Sequence, residues 1–163
     1  MTLHAALFAL RLALAVVFVA HGVKHYRNRI KTIAWTGSIG FRSPRIQWFL
    51  MTFAEMGIGL ALAAGFVTSV AAAAALAMMV VAYWTVHRHA GFFITARPDE
   101  GWEYVFVVAI TAAAIAVLGP GEWSIDHVIG WSQRLDGFTG AVIAGCGVIA
   151  ALGQLAVFFR STR

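Results

Sequence analysis

Uncharged apolar runs alternate with short charged segments along the whole chain. Residues 3–20 carry one charge, Arg11, and end in His21-Gly22-Val23-Lys24-His25. A basic loop is predicted next, holding Lys24, Arg27, Arg29, Lys31, Arg42 and Arg45, with Pro44 breaking the chain before the next run. Residues 48–86 are nearly all apolar, and Glu55 is their single charge. As one helix this run would be roughly 58 Å long. A bilayer core is only about 30 Å thick. It must therefore be two helices, and the turn is predicted at Gly65-Phe66-Val67-Thr68, where glycine ends a helix and Thr-Ser can start one. Ala71 to Ala75 then form a small-residue packing surface. A turn at Pro98-Asp99-Glu100-Gly101 precedes a fourth span at 102–118, which Gly119-Pro120-Gly121 stops. An amphipathic stretch follows from Glu122 to Gly137, with Trp123, Trp131 and Phe138 placed for the headgroup level. A last apolar run covers 139–159.

The predicted fold is all-α: a polytopic transmembrane helix bundle with a four-helix core and a fifth, C-terminal transmembrane helix. It is read as one transmembrane helical domain over 1–163, with its core at 3–127 and a C-terminal amphipathic segment and helix at 128–160. Composition agrees. The chain is 61% hydrophobic and 12% charged, about half the charge of a soluble domain. Its net charge of +5 sits in short loops beside apolar spans. That points to lipid headgroups and topology, and no recognised nucleic-acid module accompanies it. The lone Cys146 cannot form an internal disulfide or a dithiol pair. A cleaved leader is not expected, because Met1-Thr2-Leu3-His4 lacks the basic region of one.

Lysine and arginine set the expected orientation. Five spans put Lys24, Arg27, Arg29, Lys31, Arg42, Arg45, Arg88, Arg97, Arg160 and Arg163 on one side and Arg134 on the other. The basic side is expected in the cytoplasm, with the N-terminus outside and the C-terminus inside.

Two charges lie inside spans, and each costs about 2.5–3.5 kcal/mol or more if unpaired at the membrane centre. Counting from the ends of the apolar runs puts Arg11 and Glu55 at similar depth, so they are expected to face each other. Two readings stand: a structural pair that fixes helix register, or a buried polar site for a proton, an anion or a quinone headgroup. His21, Lys24, His25, His87, His89, Glu103 and Tyr104 are expected at one cytoplasmic mouth. Such a mouth can bind a metal or relay protons. The His87-Xaa-His89 spacing is not diagnostic, however, and no carboxylate lies at a fixed ligand spacing, so no metal site is assigned. On the outer side, Glu122, Ser124, Asp126 and His127 form a compact polar segment. Ser124 or Asp126 is read as the cap of a short following helix, since adjacent Asp126 and His127 do not share a helix face. Phosphate-binding, dinucleotide-binding, nucleophile-elbow and heme-attachment signatures are absent.

Several pieces together carry a resemblance. They are Leu10-Arg11-Leu12 with His21-Gly22 and Lys24; Ala54-Glu55 with Gly57 and Gly59; and Leu62 to Thr68. Further along come Gly91-Phe92-Phe93 with Gly101-Trp102-Glu103-Tyr104, and Gly119-Pro120-Gly121 with Trp123-Ser124-Ile125-Asp126. In this order, over about residues 5–127, the sequence resembles the DoxX family of bacterial membrane proteins. The resemblance implies four membrane helices in the bacterial plasma membrane, and the last apolar run departs from it. It implies a role as a subunit or scaffold of a membrane redox complex linked to thiol, thiosulfate or quinone chemistry and oxidative stress. The implied partners are a superoxide dismutase and a sulfurtransferase or respiratory subunits; the lipid bilayer follows from the apolar spans, and an oligomer is left open. The implied part in catalysis is at most that of a non-catalytic or quinone-interacting subunit. Quinone is the one cofactor it raises. Arg11, Glu55, Glu103 and Asp126 are its matching polar positions, without assigned roles. A small-molecule or proton transporter and a purely structural accessory subunit remain as alternatives.

Overall fold

The computed structural model describes residues 1–160. Helix α1 runs over Thr2–Arg27, α2 over Arg29–Ser38, α3 over Pro44–Ala64 and α4 over Thr68–Ala82. A π-helical turn at Tyr83–His87 extends α4. Helix α5 covers Glu103–Leu118, two short helical turns α6 and α7 cover Ile125–Val128 and Ser132–Leu135, and α8 covers Gly137–Phe158. Among the described residues, four helices are long and apolar enough to cross a membrane: α1, α3, α4 with its π turn, and α8. Helix α5, 16 residues long, rises about 24 Å. It still runs from one end of the bundle to the other. Its start follows the loop beyond α4, and just past its end Glu122 meets His4 at the start of α1.

Small residues set how the helices meet. Helix α1 packs along α3, and α4 packs on α5 and α8. At Gly59 a methyl group would stand 2.8 Å from the Ala15 carbonyl oxygen, and at Gly147 one would stand 2.7 Å from that of Ala73. Backbones this close exclude any side chain, the arrangement lipid-embedded helices use in place of a hydrophobic drive. Between them lies an apolar core that includes Leu14, Phe18, Ile58, Leu62, Ala112 and Ile115. Val16, Leu60, Val107, Ile110, Ile149 and Val157 are each more than half exposed. A water-soluble monomer rarely leaves so much apolar surface uncovered; lipid is the solvent that fits it.

The turn predicted at residues 65–68 is present. Gly65 adopts the left-handed conformation that ends α3, with φ 64°, where a side chain is penalised. The predicted loop between the first two spans contains a helix instead. Helix α2 buries Thr32 and Thr36. Their hydroxyls bond back to the Asn28 and Thr32 carbonyls at 3.1 and 2.7 Å, so burying them leaves no hydroxyl unpaired. The exposed side of α2 keeps Ile30 and Trp35 beside Arg29 and Lys31.

Residues 158–160, at the end of α8, return to the loop that follows α2. The Arg42 N–H donates to the Phe158 carbonyl at 2.8 Å, and the Arg160 N–H to that of Gly40 at 2.9 Å. One end of the bundle thus gathers Lys24, Arg27, Arg29, Lys31, Arg42, Arg45, Arg88, Arg97 and Arg160. The opposite end holds Arg134. Arg163, counted with the basic side from sequence, lies outside the described residues.

Candidate functional site

At the end opposite the basic one, two remote segments, α1 and the one after α5, converge on the α3–α4 turn. Arg11, fully buried in α1, donates through Nη1 to the Leu62 carbonyl at 3.2 Å and through Nη2 to that of Trp123 at 2.5 Å. Leu62 lies in the last turn of α3, where carbonyls lack helical partners and a positive charge is favoured. Asp126 complements it. Its two carboxylate oxygens accept the N–H groups of Val67 at 2.7 Å and Thr68 at 2.8 Å, the open donors at the start of α4. Its own N–H donates to the Gly65 carbonyl at 2.9 Å. Val67 sits at φ 42°, a left-handed conformation that a β-branched residue seldom adopts, and the Asp126 carboxylate holds it there. The guanidinium of Arg11 and the carboxylate of Asp126 attract one another across this turn.

The other outer residues divide between capping and surface. Ser124 caps α6 as expected, its Oγ accepting from the His127 N–H at 3.1 Å, and donates to the Gly121 carbonyl at 2.6 Å. Asp126 does not cap α6, in whose first turn it lies; it caps the distant α4. Glu122 pairs with His4 at 3.4 Å. His127 is exposed while Asp126 is buried, so the two point to different faces.

The predicted contact between Arg11 and Glu55 is not formed. Glu55 instead lies 3.7 Å from His25 Nε2. Aligning the ends of the two apolar runs set the wrong register. Helix α1 continues through His21 and His25 to Arg27, and the packing of Gly22 on Thr52 and of Gly59 on Ala15 slides α3 past it. Arg11 consequently meets Leu62, seven positions beyond Glu55, or about 10 Å along the axis.

At the basic end, His21 and His25 share one face of α1, and Glu55 reaches them from α3. Their ligand-capable atoms all lie within 4.8 Å of one another. Glu55 is buried, and its Oε2 has no hydrogen-bond partner. Thr52, one turn earlier on α3, is also buried with its hydroxyl unpartnered. Trp48 donates from Nε1 to the His25 carbonyl at 3.0 Å, and Trp35 of α2 stacks on the His25 ring at 6.5 Å. Lys24 occupies the neighbouring, exposed face. Sequence reasoning missed Thr52 and Trp35. Thr52 was within reach, since residues three apart on a helix are neighbours.

The remaining mouth residues form a separate arrangement. His87 ends the π turn, and its Nδ1 lies 2.7 Å from the Glu100 carbonyl oxygen. Glu103 accepts the Ile94 N–H at 3.1 Å, which ties the 91–102 loop to the start of α5. Arg88 stacks over Trp84 at 4.4 Å. A cavity of about 220 Å³ lies here, lined by Trp35, Trp84, Arg88, His89, Asp99 and Phe159 among others. His89 is exposed, and Tyr104 is on the exposed side of α5. Among the described residues, His21, His25 and Glu55 form the one group of three potential metal ligands, and His87, His89 and Glu103 stand apart from it.

Together these features define a polytopic membrane helix bundle with a locked polar cluster at one end and an open one at the other. A family model described as DoxX matches residues 6–88, just over half of the sequence, and the chain belongs to that family. The match takes in Arg11, His21, His25 and Glu55, and stops short of Asp126. No curated protein and no solved structure matches the chain.

Proposed function

We propose that the chain is the membrane subunit or scaffold of a redox complex in the bacterial plasma membrane, with its basic end in the cytoplasm and its N-terminus outside. One observation carries this reading: the concentration of basic side chains at a single end, on and around helix α2. Helix α2 exposes Lys31 and Arg29, the latter with its guanidinium 4.9 Å over the Trp48 ring, and Arg27, Arg42 and Arg45 extend the surface. Cytoplasmic placement of such an end follows from the charge rule for membrane loops. A surface of this kind attracts anionic headgroups and acidic faces of soluble proteins. The DoxX resemblance supplies the redox character, with a superoxide dismutase, a sulfurtransferase or respiratory subunits as partners. A quinone in the adjoining lipid is the small redox molecule within reach.

A stand-alone transporter is the less favoured reading. Leu14, Ala15, Phe18, Ile58 and Leu62 are packed and buried between Arg11 and the His25–Glu55 group. The two polar clusters are therefore divided by an apolar layer.

Mass spectrometry of what co-purifies with the tagged chain from native membranes in mild detergent tests the proposal. A redox enzyme in near-equal amount supports it, as does its loss when Arg27, Arg29, Lys31, Arg42 and Arg45 are changed to glutamate. Recovery of the chain alone, together with proton or solute uptake into liposomes that Glu55→Gln abolishes, moves the function to transport.

A further inference from the structure

We propose that His21, His25 and Glu55 bind one divalent transition-metal ion of the zinc or iron(II) class. The inference does not depend on the redox-complex reading. It rests first on geometry. Two histidines four residues apart present their rings on one helix face, as in helical zinc sites, and a carboxylate arrives from the facing helix. A tetrahedral shell with bonds of about 2.1 Å places its donor atoms roughly 3.4 Å apart. His25 Nε2 and Glu55 Oε1 are already 3.7 Å apart, and all three donors fit within 4.8 Å. The remaining closure falls to His21, which is exposed and has room to turn.

A second observation is independent of the first. Glu55 is only 6% exposed, and its Oε2 has no partner. A buried carboxylate oxygen without a donor is costly in any protein and more so within a bilayer. A cation held jointly with the two histidines removes that cost. Thr52 Oγ1, likewise buried and unpartnered, lies one turn away on the same helix and can orient the carboxylate from behind. Two imidazoles with one carboxylate suit zinc, iron(II) and their neighbours. Magnesium and calcium prefer all-oxygen shells. Three protein ligands leave a position open to water or a small molecule.

The test uses the full chain in detergent, carrying a tag without histidines and stripped with a chelator. Zn²⁺ is titrated calorimetrically, and Co²⁺ is added as the optical probe. One ion per chain is expected, with a visible d–d spectrum for the cobalt form. His21→Ala, His25→Ala and Glu55→Gln should each weaken Zn²⁺ binding by more than about 100-fold, beyond the 10–100-fold typical of losing an outer-shell partner. His21 is exposed, so its variant keeps the test valid if the buried ones fail to fold. His4→Ala and His87→Ala should leave binding intact. The proposal is overturned if folded wild-type chain takes up no Zn²⁺ at micromolar concentrations. It is equally overturned if uptake survives His21→Ala, or follows His87 or His4 instead.

Discussion

The two ends of the α1–α3 pair hold buried charges of opposite kinds of completeness. At the α3–α4 turn, Asp126 has both oxygens bonded and Arg11 donates to two carbonyls. Of the charged atoms described there, Arg11 Nε alone lacks a partner; the neutral Thr68 and Ser69 hydroxyls beside it are also unpartnered. At the basic end, Glu55 has one contact at 3.7 Å and one bare oxygen. Charges inside a bilayer are expensive in either place. The difference shows what each is for. A cluster whose bonds are spent on helix ends is a clasp, because it joins α1, the α3–α4 turn and the segment after α5. A cluster whose bonds are unspent has capacity left for something else.

Breaking the clasp should have the largest effect. Asp126→Ala removes two charge-assisted bonds, frees Val67 from its strained conformation and leaves Arg11 without its countercharge. Leaving a buried N–H donor without its acceptor costs about 1–3 kcal/mol, and here two are left. The expected result is a large fall in thermal unfolding temperature in detergent, and low yield from membranes. A steric change on the same helix pair should follow. Gly59→Val drives a side chain into the Ala15 carbonyl and the α1 backbone, and overpacking of this sort costs about 1–3 kcal/mol. Smaller again is Ser124→Ala, which removes the cap of α6 at about 1 kcal/mol; circular dichroism melts of the two variants side by side would rank them. Smallest is the charge reversal of the exposed Lys31 on α2. Surface changes of this type stay within about 0.5 kcal/mol, so the melt should be unaltered even where partner recovery collapses.

Much of this architecture is legible in the sequence, for identifiable reasons. The spans declare themselves because lipid permits few charges. The α3–α4 turn is visible because an apolar run of that length cannot cross once, and Gly65 marks where it bends. Ser124 was readable as a cap because capping is local. Four things were not. Helix α2 hid inside a basic segment, since Thr32 and Thr36 look polar until their hydroxyls are seen bonding back to the helix. The register of α1 on α3 depends on where Gly22 and Gly59 let the backbones touch, and counting from the ends of apolar runs misses that by seven positions. Asp126 acts on the start of α4, far away in the chain, and no local pattern announces a remote cap. The grouping of Glu55 with His21 and His25 was lost with the register, since its carboxylate comes from the facing helix.

The comparison between the two ends is tested most directly by one paired measurement: the thermal unfolding of Glu55→Gln and Asp126→Asn, both metal-free, in the same detergent. The predicted result is a steep loss for Asp126→Asn and little change, within about 1 kcal/mol, for Glu55→Gln, because neutralising a buried carboxylate with one long contact and one bare oxygen relieves as much as it removes. An equal, large loss in both variants would contradict it, and would make Glu55 part of the framework.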